Sequence, residues 1–369
     1  MIKTNIILDG HKLAWHADRV NAWLRGERIA PITIDCALTR KCTYRCAYCY
    51  GKLQENSCKE INREVIYRFL GDAADIGVKA ISFVSDGEST CSPHLYAAIR
   101  RGKFNGLDMA LGTNGYLLEE KELEKMLNDL TYLRFNISAA DRDRYSEIHG
   151  CGERCYDRVI DIIKKCVSIK NRNKLDVTIG MQMVLMPQFS DQIIPLARLG
   201  KDLGVDYLVI KHCSDDECGS LGVDYGKYQA LSEMLEYAES LSSDNYIVRA
   251  KWSKLMSLGK RGYSKCYGPP FILQISGSGL VAPCGMLFGD KYSRYHIGNI
   301  VDQSFQSIWR SDKYWDIMEE LSSGNFDAHT MCGSLCLQHM TNEYLNGIKN
   351  GKEATLSNSG NQPKHVNFI

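Results

Sequence analysis

The amino-acid sequence predicts an α/β fold built on a parallel sheet, followed by a smaller α+β region. Two observations carry that prediction. Between residues 32 and 241, six short apolar runs alternate with stretches of helical period. Parallel neighbours need a crossover connection, so this alternation points to a parallel sheet. Beyond residue 241 the pattern changes to two short apolar runs joined by Gly277-Ser278-Gly279, which reads as a β-hairpin. Pattern alone does not separate an open doubly wound sheet from a barrel. No G-x-G-x-x-G follows the first apolar run, so the dinucleotide-binding version loses support.

The elements follow in order. Residues 1–31 are amphipathic, contain Trp15 and Trp23, and hold a short helix at 18–26. Residues 32–35 open the sheet. Residues 62–76 form a helix because Val65, Ile66, Phe69, Leu70 and Ala73 recur on one face. Strands at 80–84 and 107–111, a helix at 119–127 and a strand at 131–137 come next. The helical period is strongest over 155–169, where Val159, Ile162, Ile163, Cys166 and Val167 share a face. A strand at 175–185, a helix at 192–203, a strand at 207–210 and a helix at 225–241 complete the region. Strands 271–275 and 280–282 make the hairpin, and a helical stretch spans 304–321. Residues 347–362 are rich in Asn, Ser, Gly and Lys and read as loosely ordered. The partly apolar run 365–369 either docks on the body or frays. The expected division is therefore 1–31, 32–242, 243–346 and 347–369.

Composition narrows the function. A chain of 369 residues suits about two domains. Lys and Arg number 45 against 44 Asp and Glu, so no broad basic face for nucleic acid or membrane is expected. No secretory signal and no apolar run long enough to span a bilayer occur, which predicts a cytoplasmic protein. The 15 cysteines are an odd number and cannot all pair within one chain. In a reducing compartment, clustered cysteines indicate metal binding or catalysis.

Cys42, Cys46 and Cys49 follow the first strand directly. Three thiolates at this spacing suit an iron–sulfur cluster with one iron left open. Zinc is the competing ligand for the C-x-x-C pair Cys46 and Cys49, although only Cys58 stands near enough to assist. The motif C-x-x-x-C-x-φ-C, with Tyr48 as φ, resembles that of the radical SAM superfamily. The resemblance covers about residues 32–240 and implies a partial (β/α)6 barrel. It also implies that the three cysteines hold a 4Fe–4S cluster whose fourth iron takes S-adenosylmethionine. An electron donor such as flavodoxin or ferredoxin is implied with them.

Other stretches add to the resemblance. Ser85-Asp86-Gly87-Glu88-Ser89 stands where the family usually has Gly-Gly-Glu-Pro, which receives the ammonium of S-adenosylmethionine. The Gly-Glu pair, Gly87 and Glu88, is kept; Asp86 in the first Gly place and Ser89 in the Pro place depart from the pattern. Thr113-Asn114-Gly115 resembles the family's turn after the third strand. Asn136 and Ser138 match positions that contact the cofactor's ribose or carboxylate, and Met183 falls in the stretch that lines the adenine. The loop at 145–150 also looks familial.

Cys266, Cys284, Cys332 and Cys336 form a second set. Four thiolates complete either a closed cluster or a structural zinc site, and spacing does not choose between them. With Gly279, Gly298-Asn299-Ile300 and Ile308-Trp309, they resemble the C-terminal SPASM or twitch domain. A full SPASM domain brings seven cysteines; four here imply the twitch form with one auxiliary 4Fe–4S cluster.

Among the remaining cysteines, Cys36 and Cys166 read as core residues. His212 and Cys213, after the sixth strand, are candidates for a general base and a hydrogen donor. The cysteine layout is most similar to twitch-type dehydrogenases of aminocyclitols. It predicts oxidation or epimerisation of a polar, carbohydrate-like small molecule, with the auxiliary cluster in electron transfer. The alternative is radical modification of a ribosomal peptide or protein; some 30 residues before the barrel are few for a leader-binding domain. A zinc-stabilised binding protein without redox chemistry is the reading from another class.

Overall fold

The structure, a computed structural model, describes residues 5–54, 60–354 and 361–369. Its centre is a single sheet of ten strands: β1 Thr33–Cys36, β2 Ala80–Phe83, β3 Asp108–Thr113, β4 Tyr132–Asn136, β5 Thr178–Leu185, β6 Tyr207–His212, β7 Ile247–Ala250, β8 Ile272–Ile275, β9 Leu280–Ala282 and β10 Gly298–Asn299. Their order is β10-β9-β8-β1-β2-β3-β4-β5-β6-β7. Strands β1 to β7 are parallel, and β8 joins the free edge of β1, also parallel. The sheet is a partial barrel whose free edges are β7 and β10.

All six strands expected from the sequence are present, and two facts modify the expectation. Strand β7 lies beyond residue 242, where the barrel was expected to end, and extends the parallel sheet. The hairpin β8–β9 is not a separate layer but part of that same sheet. The sequence signal for β7 is weak because it is a four-residue edge strand in which Arg249 is exposed.

Helices α1 Ala17–Leu24, α2 Arg63–Ile76, α3 Leu95–Phe104, α4 Leu123–Asp129, α5 Arg142–His149, α6 Arg154–Asn173, α7 Ile193–Leu203 and α8 Ser232–Ser240 accompany the barrel. Those numbered α2, α3, α4, α6, α7 and α8 pack side by side around its outside. The buried faces of α2 and α6 are the residues the helical period named. Helix α2 begins at Asn62, whose side chain accepts the Val65 N–H, and ends at Gly77 in the left-handed region. The C-terminal region adds α9 Trp252–Leu255, α10 Phe305–Arg310, α11 Asp312–Ser322 and α12 His339–Lys349. Among the described residues no helix is long and apolar enough to cross a membrane.

Residues 361–369 dock at the floor of the barrel, where the strands begin. Lys364 bridges to Ile6. The Asn367 carbonyl accepts from Thr33 Oγ1 at 2.6 Å, and Asn367 Nδ2 donates to Asp108 at 2.7 Å. Phe368 packs on Ala80, Ala110 and Tyr132.

Candidate active site and cysteine clusters

The loop after β1 carries Cys42, Cys46 and Cys49 across the upper end of the barrel. Its backbone is fixed at several points. Arg45 N and Ala47 N donate to the carbonyls of His149 and Ile148, at the end of α5. At its start, Thr39 and Arg40 are clamped between Gly87 and Gly277. A Cβ on Gly87 would lie 2.2 Å from the Thr39 carbonyl oxygen, and one on Gly277 would lie 2.2 Å from the Thr39 carbonyl carbon. Only glycine allows so close a backbone approach, and Gly87 also has φ of +126°.

Asp86, at the position departing from Gly-Gly-Glu-Pro, is buried and occupied. Its carboxylate accepts from Arg40 Nε at 2.9 Å, Ser276 Oγ at 2.6 Å and Gly277 N at 2.9 Å. Burial raises its pKa, opposed by those three donors. Asp86 therefore ties the first cysteine loop to the β8–β9 hairpin. Glu88 is held too: Oε1 accepts from Thr113 Oγ1 at 2.7 Å and from Thr90, and Oε2 accepts from Asn114 N at 2.7 Å. The Thr113-Asn114-Gly115 turn thus orients the Glu88 carboxylate.

His149 is a residue the sequence reading did not single out. The expected loop at 145–150 is the last turn of α5, capped by Asp141 and ended by Gly150. The His149 ring is fully buried and stacks on Tyr145 at 4.3 Å. Nε2 accepts the Ser138 N–H at 3.0 Å, so the neutral ring carries its proton on Nδ1. Nδ1 lies 3.4 Å from Cys46 Sγ and 3.3 Å from the Tyr48 hydroxyl. Burial lowers the ring's pKa to about 3, which keeps it neutral. The signal in the sequence was a His directly before a Gly that stops a helix.

Asn136 and Ser138 stand on the expected face of β4 and beyond it. Asn136 Oδ1 accepts from Gln182 Nε2 at 3.1 Å, and Ser138 Oγ accepts the Val184 N–H at 3.1 Å. Met183 is different. It points with Met181 and Leu185 into the helix layer and is fully buried in the core. Side chains alternate along a strand, so Gln182 and Val184 face the interior of the barrel instead.

His212 lies away from the lumen, whereas Cys213 lies under the first cysteine loop. His212 is on the outer face of β6, against the rings of Tyr225 and Tyr228. Its Nδ1 donates to the Cys213 carbonyl at 2.9 Å, and burial first, then Lys254 and Lys211, lower its pKa. Cys213 is fully buried beneath the first cysteine loop, with Sγ 3.7 Å from the Tyr48 carbonyl; burial pushes its thiol up to about 12. Cys58 lies outside the described residues.

Cys266, Cys284, Cys332 and Cys336 line one cavity together with Arg261, Tyr263 and Leu287. Burial, then the neighbouring thiols, pushes Cys284 far up; Cys266 rises to about 12. Four such groups give up their protons only to a cationic centre, so this donor set fits an iron–sulfur cluster. Arg261 braces the cavity wall, donating to Ala328 O at 2.6 Å, Ser334 O at 2.7 Å and Cys332 Sγ at 3.4 Å. The two cysteine sets meet through Tyr50, whose hydroxyl donates to Met286 O at 3.3 Å, and through Gln54, whose Nε2 donates to Gly285 O.

Comparison with known proteins agrees with this geometry. The radical SAM superfamily profile matches residues 37–199, and that of the SPASM iron–sulfur cluster-binding domain matches residues 266–337. A tungsten-containing aldehyde ferredoxin oxidoreductase cofactor-modifying protein of Pyrococcus furiosus is 23% identical over 295 residues, 75% of this chain and 80% of that protein. An AdoMet-dependent heme synthase of Methanosarcina barkeri is 25% identical over 303 residues, 76% of this chain and 83% of that protein. SuiB of Streptococcus suis, solved with S-adenosylmethionine, shares the fold over 95% of this chain and 81% of its own, with a TM-score of 0.64 and 18% identity. SuiB has also been solved with its precursor peptide SuiA, at a TM-score of 0.61 and 17% identity, over 96% of this chain and 80% of its own.

Proposed function

From a chain that belongs to the radical SAM superfamily and carries a C-terminal SPASM-type iron–sulfur domain, we propose an enzyme that modifies a residue of a peptide or protein. Its cofactors are S-adenosylmethionine, the superfamily's 4Fe–4S cluster and an auxiliary iron–sulfur cluster. When bound, S-adenosylmethionine and the reduced cluster supply a 5′-deoxyadenosyl radical that abstracts a substrate hydrogen atom.

The chain's own residues hold and orient. Cys42, Cys46 and Cys49 hold the first cluster. Glu88, turned by Thr113 and Asn114, presents carboxylate lone pairs for the ammonium of S-adenosylmethionine. Gly87 lets that carboxylate approach the cysteine loop. Asn136, on the interior face of β4, is available to the sugar hydroxyls. Asp86 and Tyr48 act on the cysteine loop rather than on the cofactor. Cys266, Cys284, Cys332 and Cys336 would hold the auxiliary cluster, which would serve in electron transfer, and the Tyr50 contact ties its loop to the first cysteine loop. No acid–base role is given to His212, which faces outward against Tyr225 and Tyr228, and no hydrogen-donor role to Cys213, whose buried thiol lies against the Tyr48 carbonyl.

The observation that carries the peptide reading is the likeness of nearly the whole chain to a fold that accepts a precursor peptide in SuiB. The carbohydrate-like substrate and the dehydrogenase or epimerase assignment rested on the cysteine layout and have less support. The test is anaerobic reconstitution followed by reaction with S-adenosylmethionine, a reductant and the short peptides encoded beside the gene. Formation of 5′-deoxyadenosine together with a mass change in one peptide is expected. Turnover stimulated by aminocyclitols or sugars, and by no peptide, would overturn the reading.

A further inference from the structure

The interior of the barrel carries a group of charges that the chemistry above does not use. On β4, Arg134 lies two residues before Asn136 and so faces the same way, about 7 Å deeper by strand rise. Lys211 faces inward on β6, in register with Val184. Lys251 follows β7, one position past the Ile210–Ala250 pair, and its N–H donates to Ile210 O at 2.8 Å. These three basic groups sense one another: burial first, then Arg134 and Lys254, lowers Lys211 to about 7, and burial first, then Lys254, Lys211 and Arg134, lowers Lys251 well below its ordinary value.

The wall is shaped to admit them. Gly112, inside β3, has no side chain where the Arg134 guanidinium lies; a Cβ there would be 3.0 Å from Nη2. Gly180, beside Arg134 on β5, gives the same room to the Tyr207 ring. A glycine inside a strand costs stability and marks a place where something must approach closely.

The protein gives these basic groups few partners. Arg134 Nε is buried with no hydrogen-bond partner. Neither Lys211 nor Lys251 makes a side-chain hydrogen bond or ion pair among the described residues. The carboxylate facing them is Asp35, which accepts from Gln274 at 3.3 Å. Nearby Lys254 is turned to the Cys336 carbonyl, and Asp9 is engaged by Ser253 N and Oγ. Burial holds Lys211 down to about 7 and Lys251 well below its ordinary value, and pushes Asp35 up to about 7, so burial works against the charge on all three. An anion bound beside the two amines and Arg134 would favour their charged form.

We propose that Arg134, Lys211 and Lys251 form a cradle for a carboxylate of the substrate, an acidic side chain of the peptide inserted into the barrel. The proposal rests on the peptide reading for its substrate class, and on the barrel alone for the anion. A planar guanidinium matches a carboxylate edge, and two ammonium groups complete its remaining lone pairs. The floor is closed by Phe368 and Tyr132, so entry is from the cysteine-loop end.

S-adenosylmethionine brings a carboxylate of its own, and the experiment separates the two sources. Calorimetry on the reconstituted enzyme, saturated with S-adenosylmethionine, compares N-acetylglutamate N-methylamide with N-acetylglutamine N-methylamide. At least tenfold tighter binding of the glutamate probe is expected. Lys211→Gln and Arg134→Gln should reduce the preference to within about twofold, and Lys211→Arg should keep most of it. The conservative variant shows that the charge, not the packing, is being read. Equal affinity for both probes would overturn the proposal. So would a glutamate preference seen only before S-adenosylmethionine is added, since the cradle would then belong to the cofactor. The readout needs no turnover: a clear preference with no peptide modified would leave the anion cradle standing and count against the peptide reading alone.

Discussion

His149 acts on a cysteine loop 103 residues earlier in the chain, and its tautomer follows from one backbone bond. Because Ser138 N–H donates to Nε2, the proton on Nδ1 points at Cys46 and Tyr48. An N–H directed at a cluster sulfur stabilises the more negative, reduced state and raises the reduction potential. His149→Phe keeps the aromatic stack on Tyr145 and removes that donor. The midpoint potential of the first cluster should fall, on the order of tens of millivolts, in an anaerobic titration followed by electron paramagnetic resonance. An unchanged potential would show that Nδ1–H serves Tyr48 only. Asp86 illustrates the converse at residue scale. A carboxylate in the place of glycine looks like an addition to a cofactor site, yet its partners Arg40, Ser276 and Gly277 consume it. Sequence position alone could not distinguish these uses, because both depend on where residue 276 arrives.

At the scale of elements, the strands and helices with a sustained apolar period were legible, since burial of one face is what that period records. Helix α5 was not. Its Arg142–His149 sequence buries only Tyr145, Ile148 and His149, and its ends are set by Asp141 and Gly150. For the C-terminal end the sequence left docking and fraying open, because polar and backbone bonds hold much of the docked segment 361–369. Lys12 Nζ donates to Phe368 O at 2.5 Å, and His365 Nε2 lies 2.8 Å from Thr178 Oγ1. Burial, with help from Lys12 and Lys364, lowers His365 to about 3. A histidine whose folded pKa lies below its free value of about 6.5 favours docking fully above that value, and the benefit is lost as pH falls through it. Opening of this segment should therefore rise about tenfold between pH 7.5 and 5.5. Hydrogen exchange at the Lys364 and Phe368 amides, corrected for intrinsic rates, reads this directly. Those amides donate to Asn5 O and His365 O. His365→Gln should flatten the dependence; an equally steep profile in that variant would assign it to His11 or His16 instead.

At the scale of the whole molecule, the auxiliary region is joined to the barrel by its own sheet. Strand β8 pairs with β1 along Thr33–Cys36, so the loops leaving both strands start side by side. One carries Cys42, Cys46 and Cys49; the other runs through β9 to Cys284. Asp86, Tyr50 and Gln54 then lock the two loops together. The separation of the two cysteine sets is thus fixed by strand pairing rather than by a linker. This coupling makes a specific demand on a variant that removes the second site. Cys284→Ser should reduce iron from about eight to about four per chain after reconstitution. It should also lower the melting temperature, because metal binding energy contributes to folding where ligands come from distant segments. The first loop is held independently at Arg45 and Ala47 by the end of α5, so uncoupled cleavage of S-adenosylmethionine should persist while substrate turnover fails. Iron analysis, calorimetry and 5′-deoxyadenosine release measured on one preparation decide the matter. Loss of all iron would mean that the hairpin, not α5, holds the first loop in its working shape. Full turnover with four iron would remove the auxiliary site from the electron path.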